Sequence, residues 1–449
     1  MTYAEAVQFL YDLQMFGAKF GLENTFKLAA LAGKPQDKLR FIHVAGTNGK
    51  GSTCAMLESI YRAAGLRVGL FTSPHLVSFA ERIQVNRQLI NENDVARLVC
   101  ELQKQVIRVG RDGLLHTPSE IEVTLTTDAP FQPTFFEFVT VMALKYFAEQ
   151  KCDLVIWETG MGGRLDATNI VTPLASVITN IALDHQKWLG NTLAEIAAEK
   201  AGIIKPGVPV ITAARESEAL GVITKTAREK NSSMTRVAVA DTKTPPLNQI
   251  DLPLLGEHQR LNAALAIATA RVLSSDIPIS ENAIRTGLSQ AQWLGRLQQI
   301  KTKSGQTILL DGAHNPSGAM ALREAIAKQF SGKKPTLILG ILQDKEWASI
   351  CEILAPLAEK LFVVPVSSER TTAPEKLEGA IRKANPGAKI VAFSSLRQAL
   401  EATIQDSFVV ITGSLYLVGE ALELLQANNR VATNERVLNE WKAARHSAT

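Results

Sequence analysis

A glycine-rich segment that follows a short apolar run has the composition of a phosphate-binding loop. It reads GTNGKGST, from Gly46 to Thr53, and an amphipathic helical pattern comes after it. Between a strand and a helix, successive backbone N–H groups and the helix N-terminus can cradle phosphates. The common GxxxxGK[ST] pattern is not met, because Val44 and Gly51 occupy the positions that require a glycine and a hydroxyl. The context nevertheless favours a nucleotide site, with Lys50 at the terminal phosphates, over a plain glycine-rich turn.

Two other apolar runs end in side chains that could bind a cation. CDLVIWETG reaches Glu158, and a carboxylate at the C-terminal end of a parallel strand suits Mg²⁺, which prefers oxygen ligands. ASVITNIALDH, interpreted as a strand over residues 175–185, ends at Asp184 and His185. An imidazole is an unusual ligand for Mg²⁺, so spacing alone leaves His185 open between a metal ligand and a hydrogen-bonded rim residue.

Four further charged residues have positions that allow a functional or a simpler interpretation. Lys200 lies inside the helical pattern of AAEKAGIIKPG and Lys205 lies at its end, where solvent-exposed lysines are the simpler interpretation. Asp311 follows a strand in the second half of the chain, and Arg296 lies between the two halves. Because ligands often bind between domains, Arg296 and Asp311 could both face a nucleotide there.

The elements that must position these residues alternate between strand and helix in two blocks. Their apolar runs are continuous, as in parallel strands covered on both faces, which predicts doubly wound α/β domains. We predict a P-loop doubly wound domain over residues 1–292, a smaller Rossmann-like domain over 297–449 and a hinge at about 293–299. The predicted strands of the first block lie at 40–46, 67–74, 152–160, 175–185 and 208–212. The second block begins at 307–315 with a strand that runs into a helix, and its further strands lie at 336–341, 360–366, 389–393 and 408–414.

Composition limits the class of protein. The 449 residues are 46 % hydrophobic and 20 % charged with a net charge of +4, which excludes a disordered chain and gives no electrostatic reason to expect nucleic acid. No run approaches the roughly 18 apolar residues of a membrane span, and the N-terminus lacks a basic signal-peptide region. The four cysteines are far apart, which fits a reducing cytoplasm. We expect a cytoplasmic monomer without a nucleic-acid or membrane partner.

Nine motifs together resemble the folylpolyglutamate synthase/dihydrofolate synthase family, a branch of the Mur ligase superfamily. They occur in the family's order and cover roughly residues 18–420. The motifs are GTNGKGS, SPHL, TFFEF, ETGMGGRLDATN, ALDHQKWLG, AAEKAGIIKPG, GEHQRLNAALA, GRLQ and DGAHNP. The resemblance implies an ATP-dependent ligase that uses one or two Mg²⁺ ions.

Site residues follow from the resemblance, motif by motif. The implied catalytic residues are Lys50, Lys200 and His185. The implied magnesium ligands are Ser73, Glu158, His185 and Lys200, the last as a carbamate. The implied ATP contacts are Thr47, Asn48, Gly49, Lys50, Gly51, Ser52, Asn262, Arg296 and Asp311. The implied contacts with the pterin side of the substrate are Phe20, Gly21, Leu22, Glu23, Thr134, Phe135, Phe136, Glu137, Leu165, Asp166 and Ala167.

The implied reaction joins L-glutamate to dihydropteroate, to the glutamyl tail of a reduced folate, or to both, through an acyl phosphate. Three alternatives stay open: a monofunctional folylpolyglutamate synthase, a Mur ligase of cell-wall synthesis, and a P-loop ATPase switch that binds a partner protein. SPHL and TFFEF favour the folate branch. The stretch from Arg111 to Pro133 is longer than the family pattern, and its effect on substrate access is left open, as are the glutamate chain length, the preferred folate and the base for the glutamate amine.

Overall fold

The computed structural model of the chain describes residues 1–16, 21–109, 132–425 and 435–439. These residues form two mainly parallel sheets, each covered by helices on both faces, which confirms the predicted α/β class. Within the described residues no helix is both long enough and apolar enough to cross a membrane. Residues 111–131 of the long Arg111–Pro133 stretch lie outside the described residues.

The first sheet has eight strands, and its centre carries the phosphate-binding loop. Their order is β4-β3-β2-β5-β1-β6-β7-β8, and all neighbours are parallel except β2–β3 and β3–β4. Because β1 lies between β5 and β6, the loop after β1 opens at the carboxyl edge between two neighbouring loops. The strands are β1 Phe41–Ala45, β2 Val68–Phe71, β3 Ile83–Val85, β4 Gln88–Leu89, β5 Leu154–Glu158, β6 Ala175–Ile178, β7 Val210–Thr212 and β8 Met234–Arg236.

Helices bury both faces of this sheet, which explains the continuous apolar runs. On β1, Phe41 joins a core with α1, α4 and α5, whereas Ile42 and Val44 join a core with α3 and α9. Successive side chains of a strand point to opposite faces, so a strand covered on both sides needs an apolar residue at every position. The helices are α1 Tyr3–Asp12, α2 Glu23–Leu31, α3 Lys50–Ala63, α4 Glu92–Val109, α5 Phe135–Glu149, α6 Gln186–Leu189, α7 Leu193–Ala201, α8 Ser217–Glu229, α9 Glu257–Val272 and α10 Glu281–Ser289.

The second sheet has six strands in the order β13-β12-β11-β14-β10-β9, with β9 antiparallel to β10. The strands are β9 Gln298–Lys301, β10 Thr307–Leu310, β11 Thr336–Leu339, β12 Lys360–Val363, β13 Lys389–Ala392 and β14 Phe408–Thr412. The helices are α11 Pro316–Gln329, α12 Trp347–Leu354, α13 Pro374–Ala384, α14 Leu396–Ala402 and α15 Leu415–Leu425. Short 3₁₀ helices cover Leu13–Phe16, Pro35–Lys38, Phe79–Arg82, Ala167–Ile170, Val239–Lys243, Leu247–Gln249, Ala355–Leu357 and Glu435–Asn439. The division at 293–299 stays a prediction, and it runs from the segment after α10 into the first two residues of β9.

One predicted strand is wrong in its length. The run 175–185 leaves the sheet after Ile178, seven residues before His185. Beyond that point Thr179 N–H makes a last bond to Ala45 O of β1, whereas the Thr179 hydroxyl and the two oxygens of Asn180 bond to the phosphate-loop backbone. Hydrophobicity alone could not show this, because Ile181 and Leu183 continue the apolar pattern through the loop.

Candidate active site

A cleft of about 780 Å³ between the two sheets brings together most of the predicted site residues. All of those among the described residues line it except Leu22 and Glu23. The carboxylate of Glu23 is exposed and pairs with Lys27 at 2.7 Å. Phe20 lies outside the described residues. The cleft therefore joins residues from both halves of the chain in one site.

The phosphate loop is built so that its backbone faces the cleft. Gly49 has φ +84° and precedes α3, and a Cβ there would lie 2.5 Å from the Asn262 side chain. A residue larger than glycine would therefore be strained and would also clash with α9. The first intrahelical bond of α3 runs from Thr53 N–H to Gly49 O, so the N–H groups of residues 50–52 precede it. Together with the helix dipole, those groups form a site for phosphate.

The segment after β6 holds the front of this loop. Thr47 N–H donates to Asn180 O at 2.8 Å, and Asn48 N–H donates to Asn180 Oδ1 at 2.7 Å. The Thr179 hydroxyl donates to Asn48 O at 2.7 Å. These bonds leave the loop with a defined shape before any ligand binds, which reduces the cost of ordering it.

Two lysines converge on a single carbonyl of the loop. Lys50 Nζ donates to Gly46 O at 3.2 Å and to Thr47 O at 3.3 Å, and Lys200 Nζ donates to Gly46 O at 2.8 Å. Burial, assisted by the charge of Lys50, lowers the pKa of Lys200 to about 7. Lys200 is 4 % exposed, so the simpler interpretation as a solvent-exposed lysine is wrong. The same expectation for Lys205 is wrong, because its ammonium is half-buried and donates to Asn169 O at 3.0 Å.

Ser73 and Glu158 form a polar pair beside the loop. Ser73 N–H donates to Glu158 Oε2 at 3.1 Å, while Ser73 Oγ is buried without a hydrogen-bond partner in the described part of the chain. Burial raises the pKa of Glu158 to about 7, against the opposing effects of Lys50 and the Ser73 N–H. A hard cation would satisfy the hydroxyl oxygen and favour the ionised carboxylate, so this pair fits magnesium. No group of three His, Cys, Asp or Glu side chains placed for a metal occurs among the described residues.

His185 lies at the mouth of the same cleft. The backbone of His185 has φ +51°, and its backbone N–H donates to Asp184 Oδ1 at 2.8 Å. Desolvation in the cleft and the charge of Lys345 lower the pKa of His185 to about 3, although 38 % of its side chain is exposed. The imidazole is therefore neutral near pH 7 and keeps a nitrogen lone pair for a cation or a proton.

Asp184 anchors a network between the first and second halves of the chain, which sequence reasoning missed. Its carboxylate accepts from Lys345 Nζ at 2.6 Å and from Asn315 Nδ2 at 3.1 Å. Asn315 and Asn48 of the phosphate loop exchange hydrogen bonds of 3.0 and 3.2 Å. Burial alone would raise the pKa of Asp184, but the bond from His314 and the charge of Lys345 hold it well below the usual value. The sequence signal was the NP step of DGAHNP, which marks Asn315 as the N-cap of α11.

Asp311 and Arg296 both line the cleft beside the second sheet. The Asp311 carboxylate accepts from Leu297 N–H and Ala313 N–H, each at 2.9 Å, so it shapes the turn that carries Arg296. That turn includes Leu297 at φ +46°, an unfavourable conformation for a residue other than glycine. Burial lowers the pKa of Arg296, against the raising effect of Asp311. Asp311 thereby holds the positively charged guanidinium of Arg296 in the cleft, on the side of the second sheet.

The expected pterin side of the cleft is built from two helix starts. Thr134 and Glu137 form a reciprocal capping box at the start of α5, which turns Phe136 toward the cleft. Phe136 packs so closely on Gly160 that a Cβ there would lie 2.6 Å from its ring. Asp166 accepts from Met161 N–H at 2.8 Å and from Thr168 N–H at 3.0 Å, so it holds the loop between them. Aromatic and polar groups thus line this end of the cleft together.

Comparison with protein families gives the class to which this architecture belongs. The model of the Mur ligase middle domain matches residues 121–270, and that of the Mur ligase glutamate ligase domain matches residues 295–415. With the phosphate loop and the cleft between the sheets, these matches define an ATP-dependent amide ligase of the Mur type.

Individual relatives narrow this class. The dihydrofolate synthase/folylpolyglutamate synthase of Bacillus subtilis is 35 % identical over 95 % of this chain and 99 % of its own length. The structure of E. coli FolC in complex with DHPP and ADP is 31 % identical, with a TM-score of 0.80, over 96 % of this chain and 99 % of that one. Mycobacterium tuberculosis folylpolyglutamate synthase complexed with ADP is 28 % identical, with a TM-score of 0.82, over 94 % and 99 % of the two chains. The chain belongs to the folylpolyglutamate synthase/dihydrofolate synthase family.

Proposed function

We propose that this enzyme joins L-glutamate to dihydropteroate and to the glutamyl tail of reduced folates, using ATP. The observation that carries the proposal is that the phosphate loop and the residues 134–137 and 165–167 all line the same cleft. The names of relatives with both synthase activities in Bacillus subtilis and Escherichia coli support it. The similarity to folate enzymes extends over nearly the whole chain, and it disfavours the two alternatives of a cell-wall Mur ligase and a P-loop switch.

The reaction divides into a phosphoryl transfer and an acyl transfer. A carboxylate of the acid substrate attacks the γ-phosphorus of ATP, ADP leaves, and an acyl phosphate forms. The N–H groups of residues 50–52 and the ammonium of Lys50 oppose the charge that develops on the transferred group. The amine of L-glutamate then attacks the acyl carbon, loses a proton and expels inorganic phosphate.

Magnesium belongs to this proposal as a companion of ATP. Ser73, Glu158, His185 and Lys200 are the residues that would hold it, with Lys200 as a carbamate whose oxygens suit a hard cation. When bound, Mg²⁺ would neutralise phosphate charge and help to align the attacking oxygen. The orphaned Ser73 hydroxyl and the raised pKa of Glu158 support this assignment.

Closure of the two domains completes the proposed site. Asn262, Arg296 and Asp311 would meet the nucleotide from α9 and the second domain, with movement at the predicted hinge of about 293–299. The bonds from Asn315 to Asn48 and Asp184 hold the second domain against the phosphate loop. Such closure excludes water, which would otherwise hydrolyse the acyl phosphate.

We also propose a cytoplasmic monomer. The four cysteines Cys54, Cys100, Cys152 and Cys351 are all free thiols, as expected in a reducing compartment. Light scattering of the purified chain would give its mass in solution.

The proposed dual activity predicts that both acid substrates are consumed. Purified enzyme with ATP, Mg²⁺ and labelled L-glutamate should incorporate label into dihydropteroate and, separately, into tetrahydrofolate, with ADP formed in equal amount. Steady-state ADP formation should depend on both substrates, because the acyl phosphate forms only when the acid is bound and is consumed only when glutamate attacks it.

Other outcomes of this assay select the alternatives. Labelling of tetrahydrofolate but not of dihydropteroate over a long incubation would make the enzyme a folylpolyglutamate synthase only. ATP hydrolysis unaffected by either substrate would indicate the P-loop switch, and ligation only to a UDP-linked acid would indicate a cell-wall Mur ligase.

The network between the domains predicts a kinetic effect of Asn315→Asp. This variant keeps an oxygen that caps α11 through Gly318 N–H, now 2.8 Å away, but loses the donor to Asn48 and places a second carboxylate beside Asp184. We expect kcat/KM for ATP to fall roughly tenfold, the equivalent of one hydrogen bond to a charged group. Steady-state kinetics with ATP as the varied substrate measures it.

Ser395→Ala is the matched control, because Ser395 caps α14 of the same domain away from the cleft. It should cost about 1 kcal/mol of stability with unchanged kinetics. If Asn315→Asp has wild-type kinetics at wild-type stability, the network has no role in closing the site.

A further inference from the structure

The C-terminal segment Glu435–Asn439 lies against the first domain, although it follows the second domain in the chain. Glu435 is 1 % exposed, and its carboxylate accepts from Tyr3 Oη at 2.9 Å, Ser78 Oγ at 3.1 Å and Phe79 N–H at 2.6 Å. A buried carboxylate with three donors from one domain is a specific attachment, since its burial would otherwise be costly.

The same segment is attached to the second domain. Arg436 forms an ion pair with Glu423 of α15. Alongside, Gly419 of α15 is so close to the first domain that a Cβ there would lie 2.0 Å from Leu76 O. The segment therefore joins both domains at the SPHL motif, Ser73 to Leu76, and its residues Leu438 and Asn439 line the cleft.

His75 of that motif is used to orient an arginine. Arg82 Nε donates to His75 Nδ1 at 2.9 Å, so the proton of the neutral ring is on Nε2, which donates to Glu435 O at 2.9 Å. Arg82 Nη2 donates to Asn439 Oδ1 at 2.6 Å, and Asn439 Nδ2 donates to His75 O at 2.9 Å. His75 and Asn439, which are 364 positions apart in the chain, thus hold the Arg82 guanidinium from two sides.

Arg82 itself has the character of an anion receptor. It is 3 % exposed, lines the cleft, and stacks over the Phe135 ring at 5.3 Å. Within the described residues it forms no ion pair, and its Nη1 has no hydrogen-bond partner there. Burial lowers the pKa of Arg82 to about 10, and the charges of Glu81 and Glu158 oppose this effect without forming a close ion pair. A buried guanidinium that forms no ion pair is costly, and its planar fork of donors matches a carboxylate.

We propose that Arg82 receives a carboxylate of the acid substrate, and that Asn439 and His75 are the residues that position it. The inference rests on the proposed function, since it needs an acid bound beside Phe135. It makes the site dependent on the C-terminal segment, so that the acid subsite is complete only when Glu435–Asn439 is docked.

The test compares five full-length variants, three in the C-terminal segment and two at Arg82, by steady-state ligation kinetics and by thermal unfolding. Asn439→Ala removes the acceptor for Arg82 and should raise KM for the acid about tenfold, the effect of one charge-assisted hydrogen bond, with KM for ATP unchanged. Asn439→Asp restores the acceptor but pairs the guanidinium, and should raise KM for the acid at least as much. Val437→Ala, on the same segment, keeps the backbone carbonyl that accepts from Gln14 and should leave both KM values unchanged.

Each result decides the question. If Asn439→Asp restores a wild-type KM for the acid, or if Asn439→Ala raises both KM values equally, Asn439 has only a structural role and the proposal is wrong. Arg82→Lys, which keeps the charge but not the fork, should lie between wild type and Arg82→Ala in KM for the acid. Equal kinetics of wild type and Arg82→Ala would also overturn the proposal.

Two acid substrates distinguish which carboxylate is bound. Dihydropteroate has one carboxylate, which reacts, whereas a reduced folate also has an α-carboxylate that does not. If Arg82→Ala raises KM for both acids, Arg82 binds the carboxylate that reacts. If it raises KM for the reduced folate alone, Arg82 binds the α-carboxylate. Failure of the proposed function is distinguishable, because the wild-type enzyme would then ligate neither acid.

Discussion

Replacement of Lys50 by alanine should lower the ligation rate on the order of 10²–10³-fold, the effect of removing one electrostatic contact to a transition state. The Lys50 ammonium is attached at the start of α3 and bonds only to the loop carbonyls of Gly46 and Thr47 among the described residues. A phosphate bound at the helix N-terminus would attract it from those carbonyls, since the anion is the stronger acceptor.

The fold of the Lys50→Ala variant should be intact, because its circular dichroism and unfolding temperature depend on the buried face of α3 and not on this ammonium. Lys187→Ala, an exposed lysine of α6, is the control and should retain full activity. More than half of the wild-type rate in a folded Lys50→Ala variant would contradict the phosphate-loop assignment.

Lys200→Ala should also lose most activity, because we propose that Lys200 acts as a carbamate. A free ammonium beside Mg²⁺ would repel it, whereas a carbamate is an anion with oxygen donors. Carbamylation requires the neutral amine, and the pKa of about 7 leaves a substantial neutral fraction at neutral pH. Since the neutral fraction grows as pH rises through 7, activation by bicarbonate should increase from pH 6 to pH 8.

Native mass spectrometry in CO₂-saturated buffer should show the added carboxylate on Lys200, and a short carboxylate such as acetate should partly restore Lys200→Ala. Lys225→Ala is the control, because its ammonium is 78 % exposed on α8. Lys205 is less suitable, since it bonds to Asn169.

The bond from Lys200 Nζ to Gly46 O suggests a competing role, in which the ammonium only braces the phosphate loop. Lys200→Arg separates these roles, because arginine can donate to Gly46 O but cannot be carbamylated. An active Lys200→Arg variant, or an unmodified Lys200 in active enzyme loaded with metal, would remove the carbamate and leave the ligase assignment standing.

The sequence by itself determined the features that depend on neighbouring residues. GTNGKGST predicts the phosphate loop because a glycine with positive φ and a helix start are local properties, and φ +84° at Gly49 agrees with them. Continuous apolar runs predicted parallel strands, since burial on both faces requires an apolar residue at each position. The ordered motifs predicted the family, and the comparisons confirm it.

Only the tertiary structure decided which polar groups meet and which lose their solvent. Local spacing cannot show that Asn48 pairs with Asn315, 267 residues away, or that Arg82 is held by Asn439, 357 residues away. The lowered pKa of Lys200 likewise depends on the burial and on the nearby charge of Lys50, which arise when α7 packs beside the phosphate loop. Electrostatic and hydrogen-bond energies depend on distance in space and on exclusion of water, and a linear sequence specifies these only after the chain has folded.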